Sequence, residues 1–460
     1  MDLVKEAKQT VITRPMERVI SPFEDFTKLN ASGGIVLLVC TAIGLLWANS
    51  AFGDLYSNFW ELPFTIGIGT HLLEKPLILW INDGLMAIFF FVIGLEIKRE
   101  ILVGELTEPR QAILPIAAAL GGMVIPAFIF LLFNFQSPYS SGWGIPMATD
   151  IAFAIGLLGL LGSRIPFSAK IFLTTLAIVD DLGAVLVIAL FYTSEISWIS
   201  LGTACVFLAI LMSANRMGLR SPFIYGLFGI GGLWLAFLFS GLHPTIAGVL
   251  AAFTIPATSA ITKKEFAHKS EKFSQEFRKA EVSGVPVLGN EEQSEAIKAL
   301  ETAKDLIQPP LQKLEHALYP WVTFAIMPIF ALANAGVVIA TDFSSLLSHS
   351  VSLGIGLGLL LGKPLGICLG AWVVVQFGSA VLPSDLGWPQ IIGLGFMGGI
   401  GFTMAIFIAT LAFQEPSDLQ TAKLAILIAS CLSACIGLLL LSKSTRTPTE
   451  NGLHSAESPP

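Results

Sequence analysis

Asp180 and Asp181 stand side by side within Ile171–Tyr192, an apolar run that holds no lysine or arginine. The run is long enough to cross a bilayer as a helix, and it places both acids near mid-depth. A carboxylate there costs about 2.5–3.5 kcal/mol on insertion scales, and an adjacent like charge adds repulsion. Such a pair binds a cation, carries protons, or does both.

The rest of the chain fits that setting. Of 460 residues, 54% are hydrophobic and 13% charged, with a mean hydropathy of +0.76. A soluble protein carries about 25% charged residues. Repeated apolar runs of near-spanning length therefore define an all-α polytopic membrane protein. The net charge of −7 leaves no footprint for nucleic acid. Cys40, Cys205, Cys368, Cys431 and Cys435 all fall in apolar segments without a CxxC, and small packing residues are the plain reading of them. The six histidines form no HxxxH, so metal catalysis has no support and no cofactor is expected. Residues 1–32 lack a short apolar core before a small-residue cleavage site, so no cleavable signal peptide is expected.

Twelve spans are expected, at 33–50, 82–97, 112–133, 144–160, 168–192, 198–215, 222–239, 242–256, 317–340, 351–377, 389–412 and 420–441. Basic segments (the N-terminus, Lys98–Arg110, Arg164–Lys170, Arg216–Arg220, 257–316 and the tail) alternate with base-poor loops, which puts both termini in the cytoplasm. Loop 378–388, expected inside, holds only Asp385 and carries no orientation signal. The organisation is thus a cytoplasmic segment 1–32, spans one to eight over 33–256, a cytoplasmic loop 257–316, spans nine to twelve over 317–442, and a flexible tail 443–460. Residues 51–81 lie outside and contain an alternating stretch that predicts a β-hairpin. Loop 257–316 mixes nine Lys/Arg with ten Asp/Glu and holds an interruption around Gly284–Asn290 between helical patterns, which reads as a solvated, partly disordered excursion.

Four ionisable groups lie deep within spans: Asp150, Asp180, Asp181 and Lys363. Together they cost of order 10–14 kcal/mol before any pairing, which rivals the net stability of a domain. Lys363 is too deep to snorkel. It reads either as a structural salt bridge to an aspartate or as a charge that must be re-paired during transport. Asp150 follows Thr149 in a span punctuated by Gly144 and Pro146, which predicts a break there. Gly398, Gly399 and Gly401, before Thr403, signal a second break in the eleventh span. Plain close packing would account for the glycines alone. Irregular backbone at membrane depth, however, is tolerated only where it is buried in protein or lines a wet cavity, and two breaks in corresponding halves point to an inverted-repeat transporter. An acid would balance two facing helix N-termini there, and a base the facing C-termini.

These residues carry a specific resemblance. Ala148-Thr149-Asp150, Val179-Asp180-Asp181-Leu182, Gly362-Lys363-Pro364 and Gly399-Ile400-Gly401-Phe402-Thr403, with Gly94-Leu95-Glu96 through Glu100 and Leu314-Glu315-His316, resemble the NhaA family of sodium/proton antiporters over roughly 30–256 and 311–442. The resemblance implies inverted repeats, with spans three to five related to ten to twelve and with crossed discontinuous helices in spans 4 and 11. It implies a Na⁺ site at Asp181, Asp180, Thr149 and Asp150, an Asp180–Lys363 pair in one state, and a homodimer. Glu96, Arg99, Glu100, Glu315 and His316 would form a pH-response cluster at the cytoplasmic mouth. The long loop and Tyr319, where a histidine is common in the family, depart from its pattern.

The expected function is electrogenic exchange of Na⁺, with Li⁺ as a further cargo, for two H⁺, serving pH and sodium homeostasis. An intramembrane aspartyl protease needs its acids on different helices, whereas neighbours on one helix point about 100° apart. A Na⁺-coupled symporter of an organic anion is the nearer alternative, and it would need a larger polar cavity.

Overall fold

The computed structural model of the chain describes residues 32–69, 71–193, 196–281, 286–339 and 348–444. The rest of the expected segment 1–32, most of loop 341–350, Glu195 and the tail beyond Ser444 lie outside the described residues. The expected apolar runs fall on helices or interrupted helices. Among the described residues, eight helices are long and apolar enough to span a bilayer, or up to ten if each bent pair is one span, while Pro222–Leu238 and Thr245–Thr254 are shorter. Large apolar side chains on the helix exteriors, such as Leu46 at 72% and Ile199 at 86% exposure, form a surface that lipid rather than water would cover. This is an integral multi-pass membrane protein.

The described residues divide into two compact units. The first is drawn from 1–59, 110–184 and 331–460. Its core includes Phe130, Leu173, Ile355, Ile367 and Phe407, all fully buried. Helices Pro109–Asn134 and the continuous run Ser350–Gln376 pack backbone against backbone: a Cβ on Gly121 would collide with Gly366 O, and one on Gly370 with Ala117 O. Such approach of small residues is a main source of cohesion between membrane helices. Helix Ser32–Ala48 is followed by Gly53–Glu61 at a 112° bend, a helix inside the stretch 51–81 that also contains the expected hairpin. Tyr56 anchors it, donating to Leu332 O (2.8 Å) and accepting from Gly336 N (3.1 Å).

The second unit comprises residues within 60–109 and 185–330. The predicted hairpin is present, with β1 Pro63–Ile68 paired antiparallel to β2 His71–Pro76, so that Ile66 faces Leu73. Lys75 on β2 bonds Asp83 (2.9 Å), whose other oxygen lies 3.7 Å from His243 Nε2. Helix Leu77–Val103 packs tightly against Thr245–Thr254, because a Cβ on Gly248 would strike Ala87 O.

The helical patterns expected in loop 257–316 are present as two helices, Lys263–Lys279 and Glu291–Ile307, that pack on one another. Thr262 and Glu265 form a reciprocal capping box, and Asn290 caps the second helix by accepting from Gln293 N. These caps satisfy amide donors that would otherwise fray the helix starts. The ends of the excursion are tied by Ala260 N to Leu306 O (2.8 Å) and Leu311 N to Pro256 O (3.1 Å).

Candidate functional site

The site lies in the first unit, where two interrupted segments meet. Residues Ser140–Met147 wind as a tight 3₁₀ helix, the backbone is extended at Ala148, and helix Ile151–Leu160 begins after Asp150. Pro146 lacks a donor and favours this interruption. The second segment is Trp388–Gly398, a break at Gly399–Gly401, and Phe402–Ala412, bent by 44°.

The breaks satisfy one another. Asp150 N donates to Ile400 O (2.7 Å), and Thr149 Oγ1 donates to Gly398 O (2.8 Å). Asp150 Oδ1 accepts from Phe153 N (2.9 Å); its Oδ2 accepts from Thr403 N (3.2 Å) and from the Thr403 hydroxyl. One carboxylate thus sits at two helix N-termini, where the backbone dipoles favour negative charge. Asp150 is fully buried, so these bonds are its substitute for water.

The complementary charge is Lys363. It is completely buried, and its ammonium donates to Asp180 Oδ2 (2.7 Å) and to Met147 O, at the C-terminal end of the 3₁₀ segment. Cation to helix C-terminus and anion to helix N-terminus is the arrangement that backbone dipoles favour. The residues before Lys363, Gly358–Gly362, form a π-turn. Pro364 follows it, and proline removes one backbone donor and crowds the preceding turn. Asp181 is buried at 2% exposure, and its charge also acts on Lys363. Thr149 also reaches the Asp180 carboxylate, through its side chain and its backbone.

The structure therefore brings together Asp150 with Thr403, Thr149 with Gly398, and Asp180 with Lys363. Thr149's hydroxyl serves a backbone carbonyl here, and Asp180's Oδ2 serves the lysine.

The five residues at 96–100 and 315–316 gather within the second unit. Arg99 donates to Glu315 and to Glu100 Oε1 (2.9 Å), and Glu100 Oε2 accepts from Glu105 N (3.1 Å). Glu96 interacts electrostatically with Glu315, Arg99 and Glu100, and His316 acts on Glu315, which is buried at 4% exposure. Tyr319 joins them through Glu96 and Glu315.

Two polar contributors escaped sequence reasoning. Ser430 and Ser433, in helix Pro416–Ser444, bond the backbone on either side of the second break. The available signal was a pair of hydroxyls three residues apart in the apolar middle of that helix.

A bundle with paired charges at two interrupted helices defines an ion-transporting class of membrane protein. The sequence pattern of the Na⁺/H⁺ antiporter 1 family matches residues 24–441. The chain is 50% identical over 428 residues to the Na⁺/H⁺ antiporter NhaA of Oleidesulfovibrio alaskensis, covering 93% of this chain and 95% of that one. It is 50% identical over 426 residues to Na⁺/H⁺ antiporter NhaA 2 of Syntrophotalea carbinolica, covering 92% and 97%. It is also 48% identical over 427 residues to the NhaA antiporter of Koribacter versatilis, covering 93% and 92%. The chain belongs to the Na⁺/H⁺ antiporter 1 family.

Proposed function

We propose that the protein is an electrogenic antiporter of the bacterial cytoplasmic membrane that exports Na⁺, and Li⁺ as a second cargo, in exchange for protons. The observation that carries this reading is the buried Lys363–Asp180 pair beside Asp181, adjoining the paired breaks at Asp150 and Thr403.

Na⁺ wants several oxygens in place of its water. Asp181, Asp180, Asp150 and Thr149 supply them once Asp180 parts from Lys363 and the Thr149 hydroxyl turns from Gly398 O. Protonation of Asp180 weakens the Lys363 contact. Protons and Na⁺ compete for the same carboxylates, and that competition is sufficient for exchange. Replacing one Na⁺ by two protons moves one net charge per cycle. At 100 mV that charge supplies about 2.3 kcal/mol, which sustains a Na⁺ gradient of roughly forty- to fifty-fold at 1.4 kcal/mol per decade. Access alternates between the two sides of the membrane around this site. Both termini face the cytoplasm, and the hairpin at 63–76 faces outward and supports a homodimer.

The test is Na⁺-induced proton flux in everted vesicles across pH. Proton movement opposite to added Na⁺ is expected, and cotransport in one direction would overturn the reading.

A further inference from the structure

We propose that Ser430 and Ser433 are positioning residues for the ion site, holding the second break in register with Asp150 from the terminal helix Pro416–Ser444; the inference rests on the assignment of Asp150 to that site made above. An interrupted helix leaves backbone donors and acceptors without intrahelical partners, and in a membrane nothing but protein or trapped water can satisfy them. Phe402 N, at the start of one half, donates to Ser430 Oγ (3.1 Å). Phe396 O, near the end of the other half, accepts from Ser433 Oγ (3.0 Å) as well as from Gly399 N (3.0 Å).

A hydroxyl in an apolar helix ordinarily bonds back to its own preceding turn. Thr41 does so to Leu37 O (2.7 Å), and Ser442 to Leu439 O (2.9 Å). Ser430 and Ser433 reach out of their helix instead, both are buried at 4% exposure or less, and their spacing of three puts them on one helix face. The fit leaves no slack: a Cβ on Gly399 would collide with the Ser433 hydroxyl and lie 2.6 Å from Leu359 O.

The consequence reaches the acid directly. Thr403, which gives Asp150 both its amide and its hydroxyl, is the residue after Phe402. Without the Ser430 hydroxyl, Phe402 N has no fixed acceptor, and Thr403 is free to withdraw from Asp150. Neither serine carries a proton or the ion; they set where Asp150's partners stand.

The experiment compares Ser430→Ala, Ser433→Ala and the hydroxyl-retaining Ser430→Thr in proteoliposomes. It reads the apparent KM for Na⁺, Tm, and amide hydrogen exchange over residues 396–405. Each alanine variant is expected to raise the KM about five- to tenfold, the scale of one lost hydrogen bond to the site, and to accelerate exchange in that segment. Ser430→Thr is expected to keep both near the parent values. A folded Ser430→Ala with unchanged KM and unchanged local exchange overturns the proposal. So does a lowered Tm with unchanged KM, which would make the serines structural only. The exchange readout needs no transported ion, so failure of the site assignment, shown by a transport-competent Asp150→Asn, is distinguishable from failure of the brace.

Discussion

Lys363 Nζ lies 2.7 Å from Asp180 Oδ2, with both side chains at 1% exposure or less. A pair so buried contributes little net stability as a pair, yet removing one partner leaves an uncompensated charge, at a cost of about 3–5 kcal/mol. Lys363→Ala is therefore expected to lower the thermal stability of the purified protein and to impair transport. The double variant Lys363→Ala, Asp180→Asn is expected to recover stability without recovering transport. A double variant no more stable than Lys363→Ala alone contradicts the pairing.

Glu315 and His316 open helix Pro310–Asn334 beside Arg99. Glu315→Gln and His316→Ala are each expected to move the pH midpoint of exchange at saturating Na⁺, with little loss of maximal rate, because neither residue belongs to the proposed ion site. An unmoved midpoint in both variants reduces the group to packing.

The hairpin presents Phe64, Ile66 and Leu72 at 48–63% exposure beside unpaired strand edges. Such edges recruit further strands. Deleting residues 62–78 is expected to convert a detergent-stable dimer to a monomer in sizing with light scattering. A persisting dimer places the interface elsewhere.

Much of this arrangement was readable in the chain because bilayer physics is severe. Apolar runs placed every helix that spans or nearly spans, and Pro146 with the 398–401 glycines placed both breaks. Lys363 and Asp150 stood out as charges too costly to keep unpartnered. What escaped depends on contacts distant in sequence or on small departures from α geometry. The π-turn before Lys363 adds no apolar signature. Ser430 and Ser433 look like ordinary packing residues until the break they face is known. The helices at 263–279 and 291–307 were legible as helical patterns on either side of an interruption, and Thr262 with Glu265, and Asn290 before two glutamates, mark their starts.

Exchange is proposed to arise because Na⁺ and protons compete for buried carboxylates, with Asp181 the ion's principal acid. Na⁺-driven proton flux by Asp181→Asn in everted vesicles, beside the parent protein at equal membrane abundance, tests it most directly. A neutral amide cannot trade a proton for the ion, so flux is expected to vanish while insertion and folding persist. Substantial flux from the folded variant would contradict the account.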